Sequence, residues 1–146
     1  MPPALAFGYD LAAKAFSTNY RVSGSPMGIL SESKDGILMI VVRDPRLIED
    51  SVLEALERDV LEVVNKTSEE RVIIDFSRVE FMSSSMLGKL VKINKKCKEF
   101  KAKLKLAGLN DDIKQVFKIT KLDKVFSIEK DLASARKAFL KRGIFG

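Results

Sequence analysis

The sequence predicts an α/β fold: a single domain built on a mixed, mostly parallel sheet of about four to five strands packed by about four helices. Three observations lead there. Short apolar runs such as ILMIVV (37–42) and VIIDF (72–76) have the length and β-branched content of interior strands. They alternate with longer segments in which apolar residues recur at helical spacing. The connections between them are short, which favours strand–helix–strand crossovers within one sheet.

Taken in order, residues 1–27 read as an extension of unknown role, broken by Pro2, Pro3, Gly24, Ser25 and Pro26. Asp10 is placed to cap a short helix, LAAKAF, and Phe7, Phe16 and Tyr20 are candidates for packing. The domain proper spans 28–142. GILSES is its first strand, and Lys34-Asp35-Gly36 is a turn in which Asp-Gly signals a hairpin. ILMIVV follows as a central strand, ended by Arg43, Asp44 and Pro45. A helix then runs to about Asn65, with Ile48, Val52, Leu56, Val60 and Val63 as its apolar stripe. After VIIDF comes a helix reaching about Phe100, striped by Met86, Leu90, Ile93, Cys97 and Phe100. LKLAG (104–108) is the fourth strand. Asn110 is an N-cap, with Asp111 and Asp112 in the first turn, where the helix dipole favours acids, and Ile113, Val116 and Phe117 inward. VFSI (125–128) is the fifth strand. Asp131 caps a last helix that turns Leu132, Ala135 and Phe139 inward.

Composition narrows the function. There is no histidine and one cysteine, Cys97. That excludes a Ser-His-Asp triad, a Cys-His pair, His-based zinc sites and an internal disulfide. No Walker loop and no GxGxxG occurs. The expectation is therefore a binding or switching module, not an enzyme, with no cofactor. No apolar run approaches the roughly 20 residues of a membrane helix. The opening MPPALAFGYDLAAK does not read as a signal peptide, and the single cysteine suits a reducing, cytoplasmic setting, which is the expectation.

The net charge of +6 is concentrated: eight lysines against one glutamate, Glu99, lie between Lys89 and Lys105. Such a run is ordinarily a solvated face whose stems cover apolar surface. Lys89, Lys92 and Lys96 share one helix face by spacing, and so offer a docking line for an acidic protein. Nucleic acid is disfavoured because the aromatics are mostly phenylalanines at core-like positions, with no stacking platform.

The most informative stretch is FMSSSMLGKL (81–90), three hydroxyls between a strand and a helix. Serines often cap helices, and the triplet alone signals no more than that. Its surroundings add more. The run from Asp75 through Phe76, Ser77, Val79, Phe81, Met82, Ser83, Ser84, Ser85, Met86, Leu87 and Gly88 resembles the signature of STAS domains, roughly D-[LF]-S-x-V-x-[FY]-[MI]-D-[ST]-S-[GA]-[LM]-[GA]. These are the anti-sigma factor antagonists and the related domains of sulphate transporters. The resemblance extends from about Ile29 to Phe139 and includes the tail pattern from Ile113 to Phe126, so 28–142 is expected to be a STAS-like domain.

The resemblance implies an anti-sigma factor antagonist. In that family the second residue of the triplet is phosphorylated by a partner serine kinase that is also the anti-sigma factor. Mapped here, the acceptor is Ser84, with Ser83 and Ser85 as alternates. The partner-binding surface would include Asp75, Ser83, Ser84, Ser85, Met86, Lys89 and Lys92. The alternative is a non-switching STAS scaffold in a larger signalling assembly or homo-oligomer. Three positions depart from the family pattern: Ser83 replaces its aspartate, Met86 its small residue, and Lys121 its glycine after the third helix. Met86 is expected to add apolar area beside the acceptor. Asp75 reads equally as a strand-end acid satisfying loop N–H groups, and Cys97 as an inert core residue.

Overall fold

The computed structural model describes residues 28–145, with side chains described to residue 141. The short helix and the packing aromatics expected within residues 1–27 lie outside the described residues. Strands β1 (Ile29–Lys34) and β2 (Ile37–Val42) form a hairpin whose two-residue loop, Asp35-Gly36, has φ of 56° and 78°. Positive φ at both positions matches the right-handed twist of the strands, which is why Asp-Gly suits it. The chain continues through β3 (Arg46–Leu47), helix α1 (Asp50–Lys66), β4 (Arg71–Asp75), β5 (Phe81–Met82) and helix α2 (Ser84–Glu99). It ends with β6 (Lys103–Ala107), helix α3 (Asp111–Ile119), a single 3₁₀ turn (Leu122–Lys124), β7 (Ser127–Glu129) and helix α4 (Leu132–Phe145).

The main sheet has five strands in the order β1-β2-β4-β6-β7, antiparallel at the hairpin and parallel elsewhere. That is the mixed, mostly parallel sheet expected from the sequence, with four α-helices among the described residues. Both faces are covered, which explains the unbroken apolar runs. Leu38, Ile40, Val72, Ile74, Leu104 and Leu106 meet α1, α2 and α3 in one large core. Ile37, Met39, Ile73 and Ala107 form a second core with Ala135 and Phe139 of α4. A half-buried polar pin ties this second layer together: the Lys105 ammonium donates to Ser127 Oγ at 2.8 Å and Glu129 Oε2 at 3.0 Å, and lies 5.2 Å from the Phe139 ring centroid.

Several element bounds correct the sequence reading. The α1 stripe is Leu53, Leu56, Val60 and Val64; of the expected set Leu56 and Val60 lie on it, Val52 and Val63 pack beside it partly buried, and Ile48 does not. Ile48 precedes the helix and is 41% exposed, because residues 46–47 are spent on β3. Phe100 ends α2 exposed, and Val116 is 40% exposed on the outer side of α3. The last strand starts at Ser127, later than expected. Val125 and Phe126 still donate their N–H groups to Leu122 O at 3.0 Å, as part of the preceding turn. Asn110 and Asp131 cap as expected, their carboxamide and carboxylate oxygens accepting from Ile113 N at 2.8 Å and Ser134 N at 2.7 Å. The Ser134 hydrogen bonds hold the Asp131 carboxyl below the usual carboxylate range.

Lys121, where the family pattern has glycine, has φ 63°. A left-handed non-glycine residue costs roughly 1 kcal/mol. Lys121→Gly is therefore expected to raise stability by about 0.5–1 kcal/mol, read as a higher urea midpoint at unchanged slope. A lower midpoint would show that the lysine side chain contributes more than its backbone costs.

Candidate functional site

The serine junction is held by contacts distant in sequence. β5 pairs in parallel with β3, Phe81 opposite Arg46 and Met82 opposite Leu47. The Pro45 carbonyl accepts from Glu80 N at 2.7 Å and Phe81 N at 3.2 Å, and the Leu47 carbonyl from Ser83 N at 2.9 Å. From the other side Asn110, already the cap of α3, donates its amide to Glu80 O at 3.1 Å and Val79 O at 3.5 Å. The chain between β4 and α2 is thus pinned to β3 and to the start of α3 before α2 begins.

At Ser83 the backbone is extended, with φ −81° and ψ 164°, and its Oγ accepts from Met86 N at 3.3 Å. Ser83 is the N-cap, and it takes the role an aspartate would have. Ser84 and Ser85 are the first two helical residues, and both hydroxyls are exposed. The first turn of α2 carries no acid, whereas α1 has Asp50 there and α3 has Asp111 and Asp112. Within that turn no acid offsets the remaining orphan N–H groups and the positive end of the dipole.

Two residues expected on the contact surface are buried. Asp75 is 2% exposed, and its carboxylate accepts from Ser77 N at 3.2 Å and Ser77 Oγ at 3.0 Å. It closes the turn after β4 and presents nothing to a visitor. Met86 is 1% exposed and packs into the main core, so it adds no apolar area beside the hydroxyls. The reason is register: Met86 lies in line with Leu90, Ile93 and Cys97, the face α2 turns inward. Cys97 is fully buried, and burial pushes its thiol up to about 11. The thiolate is thereby suppressed at neutral pH.

Lys89 and Lys92 do share a face, but it points at α1. Glu57 takes Lys89 at 3.1 Å and Lys92 at 3.5 Å, and Lys96 lies 3.5 Å from Glu99. The lysine line is thus partly neutralised within the chain. Glu57 escaped the sequence reading because nothing marks it among the acids of α1. Arg46 and Phe81 escaped for a similar reason: a two-residue strand pair has no periodicity to detect. The Arg46 guanidinium lies 4.9 Å from the centre of the Phe81 ring, which is 50% exposed. Among the described residues no group of acidic or cysteine side chains is placed to hold a metal ion. No helix there is long and apolar enough to cross a membrane.

Comparison with known proteins agrees with this architecture. BtrV of Bordetella bronchiseptica, a candidate anti-sigma factor antagonist, is 25% identical over 113 residues, covering 77% of this chain and 95% of that protein. An anti-sigma factor antagonist from Mycobacterium paratuberculosis has a similar structure, with a TM-score of 0.66 at 27% identity, over 75% of this chain and 91% of that one. A STAS domain protein from Planctomyces limnophilus has the same fold, with a TM-score of 0.68 at 22% identity, over 78% of this chain and 98% of the other. The profile of the STAS domain matches residues 29–135, and the chain belongs to that family.

Proposed function

We propose that the protein is an anti-sigma factor antagonist that docks a partner anti-sigma factor, itself a serine kinase, at the start of α2 and is switched by phosphorylation of Ser84. One observation carries this reading: an exposed hydroxyl on the first residue of a helix whose first turn holds no acid, on a junction pinned from both sides. The names of the Bordetella and Mycobacterium relatives support the partner class. Transfer of the γ-phosphoryl group from ATP to Ser84 Oγ would release ADP and the hydroxyl proton. It would place about two negative charges at the positive end of α2. A helix N-terminus tolerates an anion, so the scaffold stands while the docking face changes.

The test is incubation with the cognate kinase and ATP, followed by site mapping. Label is expected on Ser84 and absent from Ser84→Ala. Ser84→Asp is expected to weaken partner binding about tenfold, roughly 1.4 kcal/mol. Label persisting in Ser84→Ala would move the acceptor to Ser83 or Ser85. A large assembly in size-exclusion chromatography, indifferent to Ser84→Asp, would favour the non-switching scaffold instead.

A further inference from the structure

Beside the serine junction, between β5, α2 and α3, lies a cavity of about 130 Å³. Met82, Leu87, Ile113 and Val116 give it apolar walls, and the half-exposed Phe81 ring lines it too. Two exposed carboxylates, Glu80 and Asp112, complete the lining. Neither takes part in a salt bridge among the described residues. In a chain of net charge +6, next to a lysine-rich helix, this is a local acid spot around an oily slot.

Size and chemistry together define an occupant. A protein cavity of roughly 150 Å³ holds one benzene, so this one holds a single side chain and little more. Apolar walls suit a methylene stem, and two carboxylates suit a cationic head that pairs through several donors. Arginine fits both and also stacks on aromatic rings, which lysine does less well. The Phe81 ring already carries one guanidinium, that of Arg46, at 4.9 Å. A phosphate-bearing ligand would meet two unneutralised carboxylates.

We infer that this cavity is the socket for an arginine side chain of the docking protein. Met82 stands two residues before Ser84 and Leu87 three after it, so a protein seated on the serines covers the socket as well. The identity of the partner rests on the function proposed above; the chemistry of the socket does not.

The experiment has two arms. In the first, methyl NMR of the whole chain follows Leu87, Ile113 and Val116 during titration with N-acetyl-arginine amide, and with the neutral N-acetyl-citrulline amide as control. The arginine probe is expected to give saturable shifts, at least threefold tighter than citrulline. A Glu80→Gln, Asp112→Asn double variant, isosteric at two exposed positions, is expected to erase that difference. Shifts that never saturate, or equal response to the two probes, overturn the socket. Concentration-dependent shifts of the same methyls without probe would overturn it in favour of a second copy of this chain.

In the second arm, Glu80→Lys with Asp112→Lys is expected to weaken binding of the cognate anti-sigma factor at least tenfold. An unchanged affinity overturns the assignment of the socket to that partner. If the wild-type chain does not bind the anti-sigma factor while the arginine probe still saturates, the proposed function falls and the specificity of the socket stands.

Discussion

Gly108→Ala is expected to destabilise the domain by about 3 kcal/mol, among the largest losses any single methyl group can cause here. Gly108 follows β6 with φ 75°, a conformation that alone costs a non-glycine residue roughly 1–2 kcal/mol. The rest comes from crowding. A β-carbon there would stand 2.7 Å from Asp75 Oδ1, 2.9 Å from Ser77 N and 3.0 Å from Ser77 Cβ. None of these can retreat cheaply. Asp75 is buried and committed to Ser77, and the turn is tied to β6 by Phe76 N donating to Ala107 O at 2.8 Å. Moving Asp75 aside would cost its buried carboxylate the hydrogen bonds from Ser77, a loss of about 1–3 kcal/mol. Equilibrium urea unfolding checks this, with the midpoint expected to fall at unchanged slope. A loss below about 1 kcal/mol would show that the turn is loose and that Asp75 does not lock it.

This same corner shows where sequence reasoning succeeds and where it stops. Local signals were sound: the Asp35-Gly36 hairpin, the caps at Ser83, Asn110 and Asp131, and the apolar strands flanked by periodic helices all depend on residues within a few positions of one another. Asp75 was legible as a strand-end acid meeting a loop N–H, the role it takes with Ser77; its crowding by Gly108, more than thirty residues away, was not. The exposure of Ile48 was missed because β3 exists only by pairing with β5, and two residues have no period. Val116 shows a further limit. A nine-residue helix on a sheet buries a narrow stripe, and Ile113 and Phe117 fill it, leaving Val116 to the solvent and to the cavity beside the serines. The serines themselves were legible as a helix start, but their exposure and the acid-free first turn around them gain meaning only once Met86 and Lys89 are seen turned away, toward the core and toward Glu57.

The socket and the junction lean on one helix, and Phe117→Ala is expected to show it, with a loss of about 3–5 kcal/mol. Phe117 is fully buried and meets Phe126 edge to face, ring centres 5.9 Å apart at 63°. Only Ile113 and Phe117 of α3 are fully withdrawn from solvent, so deleting one ring removes much of what holds the helix to the sheet. Val116→Ala, three carbons trimmed to one at an exposed position, is the control and should cost well under about 1 kcal/mol. The loss should also be transmitted. Asn110 both caps α3 and donates to the carbonyls of Val79 and Glu80, so a loosened α3 releases the segment that delivers Ser83 to α2. Amide hydrogen exchange is expected to accelerate in α3 and in residues 76–83 together, ahead of β2 and β4. Exchange that rises in α3 alone would mean the junction is held by β3 without help from Asn110.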